Sequence, residues 1–121
     1  MRTEIVCVPV TDDDQVDHSW GKARTVALAT ITDGEISNWR RDRVRWDLSK
    51  AQATEGAHHA VVARFIRDND VTMVVAHHMG AGMATMLTKM GALVFQGAEG
   101  DARAAATLAV DTHSRNVGPA E

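Results

Sequence analysis

Five of the six histidines in this 121-residue chain fall in three short clusters that lie far apart in the sequence. The clusters are His18, the pair His58-His59 and the pair His77-His78. Imidazole is the commonest protein ligand for metals, and its ordinary pKa lies closest to neutral pH. A fold that gathered these clusters would have the donors for a metal ion or a metal cluster. The sixth histidine, His113, lies near the C-terminus, and we expect no role for it.

Gly80-Ala81-Gly82 follows directly after the last histidine pair and precedes a predicted helix. Backbone N–H groups at the start of a helix can bind an anion. The segment lacks the Lys and Ser/Thr of a phosphate-binding P-loop. An anion-binding loop and a simple tight turn are therefore both compatible with this segment.

Composition and charge exclude several classes of protein. The net charge of -3 argues against nonspecific nucleic-acid binding, and Asp42 interrupts the one arginine-rich segment, residues 40–45. Cys7 is the only cysteine, so no intrachain disulfide can form, and its apolar neighbours indicate a buried position. The N-terminus does not resemble a signal peptide, and no apolar run is long enough to span a membrane. We therefore expect a cytoplasmic protein.

Acidic residues do not form a catalytic pattern. Asp12-Asp13-Asp14 and Asp17 could bind a hard cation, but a solvated acidic loop is the simpler interpretation. A two-metal nuclease needs carboxylates clustered on its strands, and the predicted strands carry Glu4 and Glu35 only at their starts. The sequence offers no Ser-His-Asp or Cys-His arrangement either. We therefore expect a protein that is not an enzyme.

Hydrophobic patterns predict the element order β-β-β-α-β-α-β-α. Asp33-Gly34 is a strong hairpin signal between the second and third strands. Residues 47–52 are interpreted as a connector, and Thr54 as the N-cap of the first helix. The second helix carries methionines at helical spacing, and the third runs from near Glu99 to about Val110. The predicted strands are residues 4–10, 24–32, 35–45, 71–76 and 92–96.

Right-handed crossover connections place the fourth and fifth strands on the far side of the first. The predicted sheet order is 3-2-1-4-5 with strand 2 antiparallel. This is a ribonuclease-H-like, three-layer α/β fold with helices on both faces. It forms a single domain over residues 1–111, followed by a flexible tail over residues 112–121. All three histidine clusters then fall at the carboxyl edge of the sheet, where open α/β sheets bind ligands.

Four segments together resemble the dinitrogenase iron–molybdenum cofactor biosynthesis proteins, of the NifX/NafY type and the NifB C-terminal type. The resemblance covers residues 4–110. The family's motif His-Phe-Gly-(Arg/Lys)-Ala is similar to residues 18–23, His-Ser-Trp-Gly-Lys-Ala, in which Ser19-Trp20 replaces the Phe. The other segments are the Asp33-Gly34 hairpin, residues 71–82 with their glycine loop, and residues 91–100. The family commonly has small residues where this chain has His77-His78.

The resemblance implies a non-catalytic protein that binds or carries iron–molybdenum cofactor, an iron–sulfur precursor or a related anionic metal–sulfur cofactor. It also implies a part in nitrogen fixation, with cofactor-biosynthesis or nitrogenase-related proteins as partners, although members also occur outside nitrogen-fixing contexts. On the predicted topology, the cofactor contacts would come from His18, which matches the family motif, and from His77, His78, Gly80, Ala81 and Gly82. The candidate metal ligands are His18, His78 and His59.

Two other interpretations remain open. The clustered histidines could serve a divalent transition-metal binder or sensor. Alternatively, the edge strand 35–45, with Trp39 and Trp46, could form a metal-independent interaction domain that pairs as a homodimer. For His58-His59 itself, a surface position near the helix start is the favoured interpretation, because polar residues are common there.

Overall fold

A computed structural model of the chain describes residues 2–117 and contains one five-stranded mixed sheet. The strand order is 3-2-1-4-5, as predicted. The second strand runs antiparallel to its two neighbours, and the remaining strands run parallel to one another. The strands are β1 (Thr3–Pro9), β2 (Val26–Thr32), β3 (Glu35–Asp42), β4 (Met73–Val75) and β5 (Leu93–Phe95).

Four helices connect or follow these strands: α1 (Trp46–Gln52), α2 (Glu55–Asp68), α3 (Ala81–Lys89) and α4 (Ala102–Val117). The prediction of a connector over residues 47–52 is wrong, because α1 occupies that segment. Its start is set by Arg45, which has a left-handed backbone and binds Asp47 through two side-chain hydrogen bonds of 3.0 and 2.9 Å. The predicted N-cap is confirmed, since the Thr54 hydroxyl accepts from the Ala57 N–H at 3.1 Å.

The last helix is longer than predicted, because α4 continues past Val110 to Val117. Arg2, beside the first strand, donates to the hydroxyl of Ser114 at 3.2 Å and so ties the extension to the sheet. Most of the predicted tail, residues 112–117, is therefore helical. The rest of that tail, residues 118–121, lies outside the described residues.

Helices cover both faces of the sheet. In β1, Cys7 points into a core shared with α1, α2 and α3, while Val6 and Val8 point into a core shared with α4. This alternation is the period of a strand that is buried on both sides. Burial also raises the pKa of the Cys7 thiol, which agrees with its predicted place in the core.

The hairpin between β2 and β3 turns at Asp33 and Gly34, whose φ angles are 52° and 85°. Two consecutive positive φ angles suit the right-handed twist of a tight hairpin, so this prediction is confirmed. The third strand ends at Asp42, three residues earlier than predicted. Trp46 is thus not part of the edge strand: it begins α1 and is 1% exposed. Within residues 2–117, no helix is long and apolar enough to cross a membrane.

Candidate functional site

His18 and His77 meet at the carboxyl edge of the sheet, where the loop after β1 passes the end of β4. Their imidazole rings stack, with centroids 4.6 Å apart and planes inclined by 29°. A parallel bridge between Ser19 and His78 joins the two segments beside this pair. The structure therefore brings together two of the three histidine clusters.

His77 is held by a contact that also defines its tautomer. Its Nδ1 lies 3.1 Å from the carbonyl oxygen of Ala98. A carbonyl can only accept a hydrogen bond, so Nδ1 carries the proton. The neutral ring then presents its lone pair at Nε2. In metal proteins, a backbone carbonyl that accepts from one ring nitrogen often orients the other nitrogen toward the metal in this way. His77 is half-buried, whereas His18 and His78 are exposed.

The loop that carries His18 is anchored by the residues after it. Trp20 is 1% exposed, and its ring centroid lies 4.9 Å from that of the buried Trp46. On the other side of His18, a carboxylate oxygen of Asp17 accepts from the Ser19 N–H at 3.1 Å. The segment where the chain departs from the family motif, Ser19-Trp20, is thus the one that fastens this loop to the core.

Another group of residues at the same edge surrounds a cavity of about 160 Å³. The first turns of α2 and α3 face each other across it. Gly80, Ala81 and Gly82 consequently adjoin His58 and His59, and the sequence did not indicate that neighbourhood. The full lining consists of Trp20, Gly21, Lys50, Glu55, His58, His59 and Gly80 to Met83.

His58 does not lie on the surface, so the favoured interpretation of this residue is wrong: it is 1% exposed. Its Nδ1 lies 3.0 Å from the hydroxyl oxygen of Ser49, and its Nε2 has no hydrogen-bond partner among the described residues. Burial lowers the pKa of His58, and the positive charges of Lys50 and His59 lower it further. The backbone of Gly21 opposes this shift weakly, without reaching hydrogen-bond geometry.

No three-ligand metal centre is formed by His, Cys, Asp or Glu side chains within residues 2–117. The candidates His18, His78 and His59 therefore do not surround one point as a chelating set. The prediction that each of these histidines can act as a single metal ligand remains a prediction. In the acidic loop, Asp14 forms an ion pair with Arg41.

A larger groove of about 430 Å³ lies on the α4 side of the sheet, and sequence patterns indicate it only weakly. Phe95 and the small residues Gly97 and Ala98 line it from the sheet, and Leu108 lines it from α4. Leu108 is 62% exposed, although its helix is otherwise packed on the core through alanines. The only signal in the sequence was this one large apolar residue on an alanine-rich helix.

A family described as dinitrogenase iron–molybdenum cofactor matches residues 3–111 of the chain. No curated protein matches the chain. The match therefore covers nearly the same residues as the resemblance seen in the sequence, and it includes the whole sheet.

Several solved structures share the fold at low sequence identity. The crystal structure of PH0822 is 17% identical, with a TM-score of 0.71 over 89% of this chain and 91% of that one. The apo form of the orange protein from Desulfovibrio gigas is 15% identical, with a TM-score of 0.69 over 90% and 88%. The protein MJ0327 from Methanocaldococcus jannaschii is 12% identical, with a TM-score of 0.66 over 93% and 92%. Identities this low establish a common architecture. They do not establish that the proteins bind the same ligand.

Proposed function

The chain belongs to the dinitrogenase iron–molybdenum cofactor family, and on that premise we propose that it is a non-catalytic carrier for a metal–sulfur cofactor. Its cargo is iron–molybdenum cofactor, an iron–sulfur precursor or a related anionic cluster. Proteins of cofactor biosynthesis or of nitrogenase would deliver and receive this cargo. We also infer that the sheet is of the ribonuclease-H-like type, because its strand order and directions are those of that arrangement.

The stacked pair of His18 and His77 is the observation that carries this proposal. His77 offers a lone pair at Nε2 because the carbonyl of Ala98 occupies Nδ1. A neutral imidazole is a suitable ligand for iron, and one or two such ligands hold a cluster less firmly than a closed set of cysteines. Weak terminal ligation suits a carrier, because the receiving protein must displace the ligand.

The exposed His78 and the free amides of Gly80, Ala81 and Gly82 extend the same edge beyond the stack. They supply a further imidazole and N–H donors for an anionic cargo. His18 and His78 reach the cargo from exposed positions, whereas His77 is held in place. The arrangement thus combines one fixed ligand with two movable ones.

Anaerobic titration of the purified protein with isolated iron–molybdenum cofactor, followed by visible and electron paramagnetic resonance spectroscopy, tests this assignment. We expect His77→Ala to weaken binding most, and His18→Ala and His78→Ala to weaken it less. His113→Ala is the matched control, since it removes an imidazole from α4. Binding that is unchanged in the His18, His77 and His78 variants alike would exclude the proposed site.

A divalent transition-metal binder is the second candidate, and the closeness of His18 to His77 favours it. Zinc binds imidazole nitrogen at about 2.0–2.1 Å, so the two nitrogen lone pairs must converge on one point. The two rings lie 4.6 Å apart with planes inclined by 29°, so a shared ion requires one nitrogen of each ring to turn toward it. Calorimetry with Zn²⁺ or Ni²⁺ distinguishes the two: one tight site lost in both His18→Ala and His77→Ala would favour this candidate.

A further inference from the structure

We propose that the cavity between the first turns of α2 and α3 is a binding site for a small oxyanion, which is a carboxylate or a tetrahedral oxyanion. This goes beyond the proposed carrier function, because the site would take a free anion in the absence of any metal. At about 160 Å³ the cavity has room for such an anion and some water, since a water molecule takes about 30 Å³ in the liquid.

The start of α3 supplies uncapped N–H donors. Gly80 is the N-cap of this helix, and no side chain caps it. The neighbouring α2 differs, because the Thr54 hydroxyl accepts from the Ala57 N–H. The first-turn amides of α3 therefore remain available, and the positive end of the helix dipole lies at the cavity.

Two buried side chains that line the same cavity each have a ring nitrogen without a hydrogen-bond partner among the described residues. Trp20 and His58 are each 1% exposed, and neither Trp20 Nε1 nor His58 Nε2 has a partner among the described residues. An indole nitrogen can only donate, and His58 Nε2 carries the proton when the Ser49 hydroxyl donates to Nδ1. Buried polar atoms in native proteins are nearly always paired. Trp20 Nε1, an unpaired buried donor on a residue of the cavity wall, therefore points to an acceptor, and His58 Nε2 adds a second donor in the tautomer just described.

Glycine and charge at the cavity agree with this assignment. A Cβ at Gly21 would lie 3.6 Å from His58 Nε2, so the backbone at Gly21 passes close to the imidazole ring. Burial depresses the pKa of His58, and the nearby Lys50 and His59 depress it further. Among the described residues of the lining, Lys50 is the basic side chain and Glu55 the acidic one, so neutralising Glu55 would leave a positive charge that favours an anion.

A pair of glycine substitutions tests the site in metal-free protein. In Gly80→Asp, the new carboxylate would cap the α3 amides and occupy the position of the anion. The backbone at Gly80 (φ −64°, ψ 150°) suits an N-cap aspartate, and its added Cβ would meet no atom within 4 Å. Gly56→Asp is the matched control: it adds the same charge to the first turn of α2, also without a steric contact, but outside the cavity lining.

Calorimetry at low ionic strength, with sodium phosphate and sodium citrate in separate arms, measures the affinity. We expect saturable binding of at least one of the two anions. That affinity should fall at least roughly tenfold in Gly80→Asp and change less than about threefold in Gly56→Asp, since charge effects fade beyond the first helical turn. Glu55→Gln should strengthen binding. The amides of Ala81, Gly82 and Met83 should shift in ¹⁵N NMR spectra.

The proposal is overturned if neither anion saturates the protein, or if the two aspartate variants lose affinity equally. Both variants should keep the wild-type far-ultraviolet circular dichroism, which separates a loss of binding from a loss of fold. Because the assay contains no metal cluster, its failure leaves the carrier assignment standing. Conversely, failure of the cluster titration leaves this anion site standing.

Discussion

Trp20 connects the stability of the protein to the position of His18, and substitutions at Trp20 test that connection. The side chain is 1% exposed and packs at 4.9 Å on the ring of Trp46. Trp20→Ala removes a large buried side chain, which costs about 3–5 kcal/mol. The lost aromatic pair is worth about 0.5–1.5 kcal/mol beyond its area. A typical domain has about 5–15 kcal/mol of total stability, so this variant should lose a large part of it.

Trp20→Phe should behave quite differently. Phenylalanine keeps the ring against Trp46 but removes the indole N–H, which is buried and has no partner within residues 2–117. An unsatisfied buried donor costs about 1–3 kcal/mol, which offsets the packing lost with the smaller ring. We therefore expect Trp20→Phe to stay within about 1 kcal/mol of the wild type, whereas Trp20→Ala loses about 3 kcal/mol or more.

Urea denaturation at pH 7, with the midpoint and the slope fitted together, measures both changes. The metal-cofactor titration of the same variants shows whether His18 keeps its place. We expect Trp20→Phe to bind like the wild type and Trp20→Ala to bind less well even where it is folded. The reasoning is refuted if Trp20→Phe costs as much as Trp20→Ala. It is also refuted if Trp20→Ala leaves both stability and binding unchanged.

Three further predictions concern local elements. Burial lowers the pKa of His58, so the unfolded chain binds a proton at higher pH than the folded chain does. The free energy of unfolding should therefore fall as the pH drops through about 6.5. His58→Gln should flatten this dependence in urea denaturation between pH 8 and 5, and an unchanged slope would contradict it. Thr54→Ala should cost about 1 kcal/mol by removing the α2 cap, with Thr107→Ala as a control within α4, and thermal melting measures the difference. Gly34→Ala should cost about 1 kcal/mol, because its φ of 85° strains any residue with a Cβ, and a melting temperature equal to the wild type would count against the hairpin geometry.

The sheet could be predicted because its signals are local. The continuous apolar runs of β1 and β2, the Asp33-Gly34 turn and the handedness rule for crossovers together determine the order of the strands. Helix α1 could not be predicted in this way. It has seven residues, too few for a clear period, and it forms because Trp46 enters the core and Arg45 binds Asp47. Tertiary contacts fix this helix, and a local pattern does not show them.

The sequence predicted where the site lies but did not predict its individual contacts, because those contacts join residues that are distant in the chain. Topology placed the histidine clusters at one edge, and the stack of His18 on His77 agrees with that placement. The carbonyl of Ala98 comes from 21 residues further along the chain, so no spacing rule connects it to His77. Lys50 lies in α1, and the sequence did not predict that helix, so it did not predict the position of Lys50 beside the cavity either. His58 was assigned to the surface because the sequence does not show which side of α2 faces α3.

The two histidines of the stack differ in a way that bears on transfer of the cargo. His77 cannot turn without breaking its hydrogen bond to Ala98, whereas His18 is exposed and lies in a loop held by Asp17, Trp20 and the bridge from Ser19 to His78. In the proposed carrier, His77 fixes the position of the cluster and His18 covers or releases it. Removing the Nδ1 contact should therefore affect affinity, and loosening the loop should affect the rate of release. Stopped-flow transfer to a chelator separates the two: Trp20→Ala should accelerate release more than it weakens equilibrium binding, and His77→Ala should lower both affinity and retention. A His18→Ala variant that releases cargo at the wild-type rate would contradict the role assigned to His18.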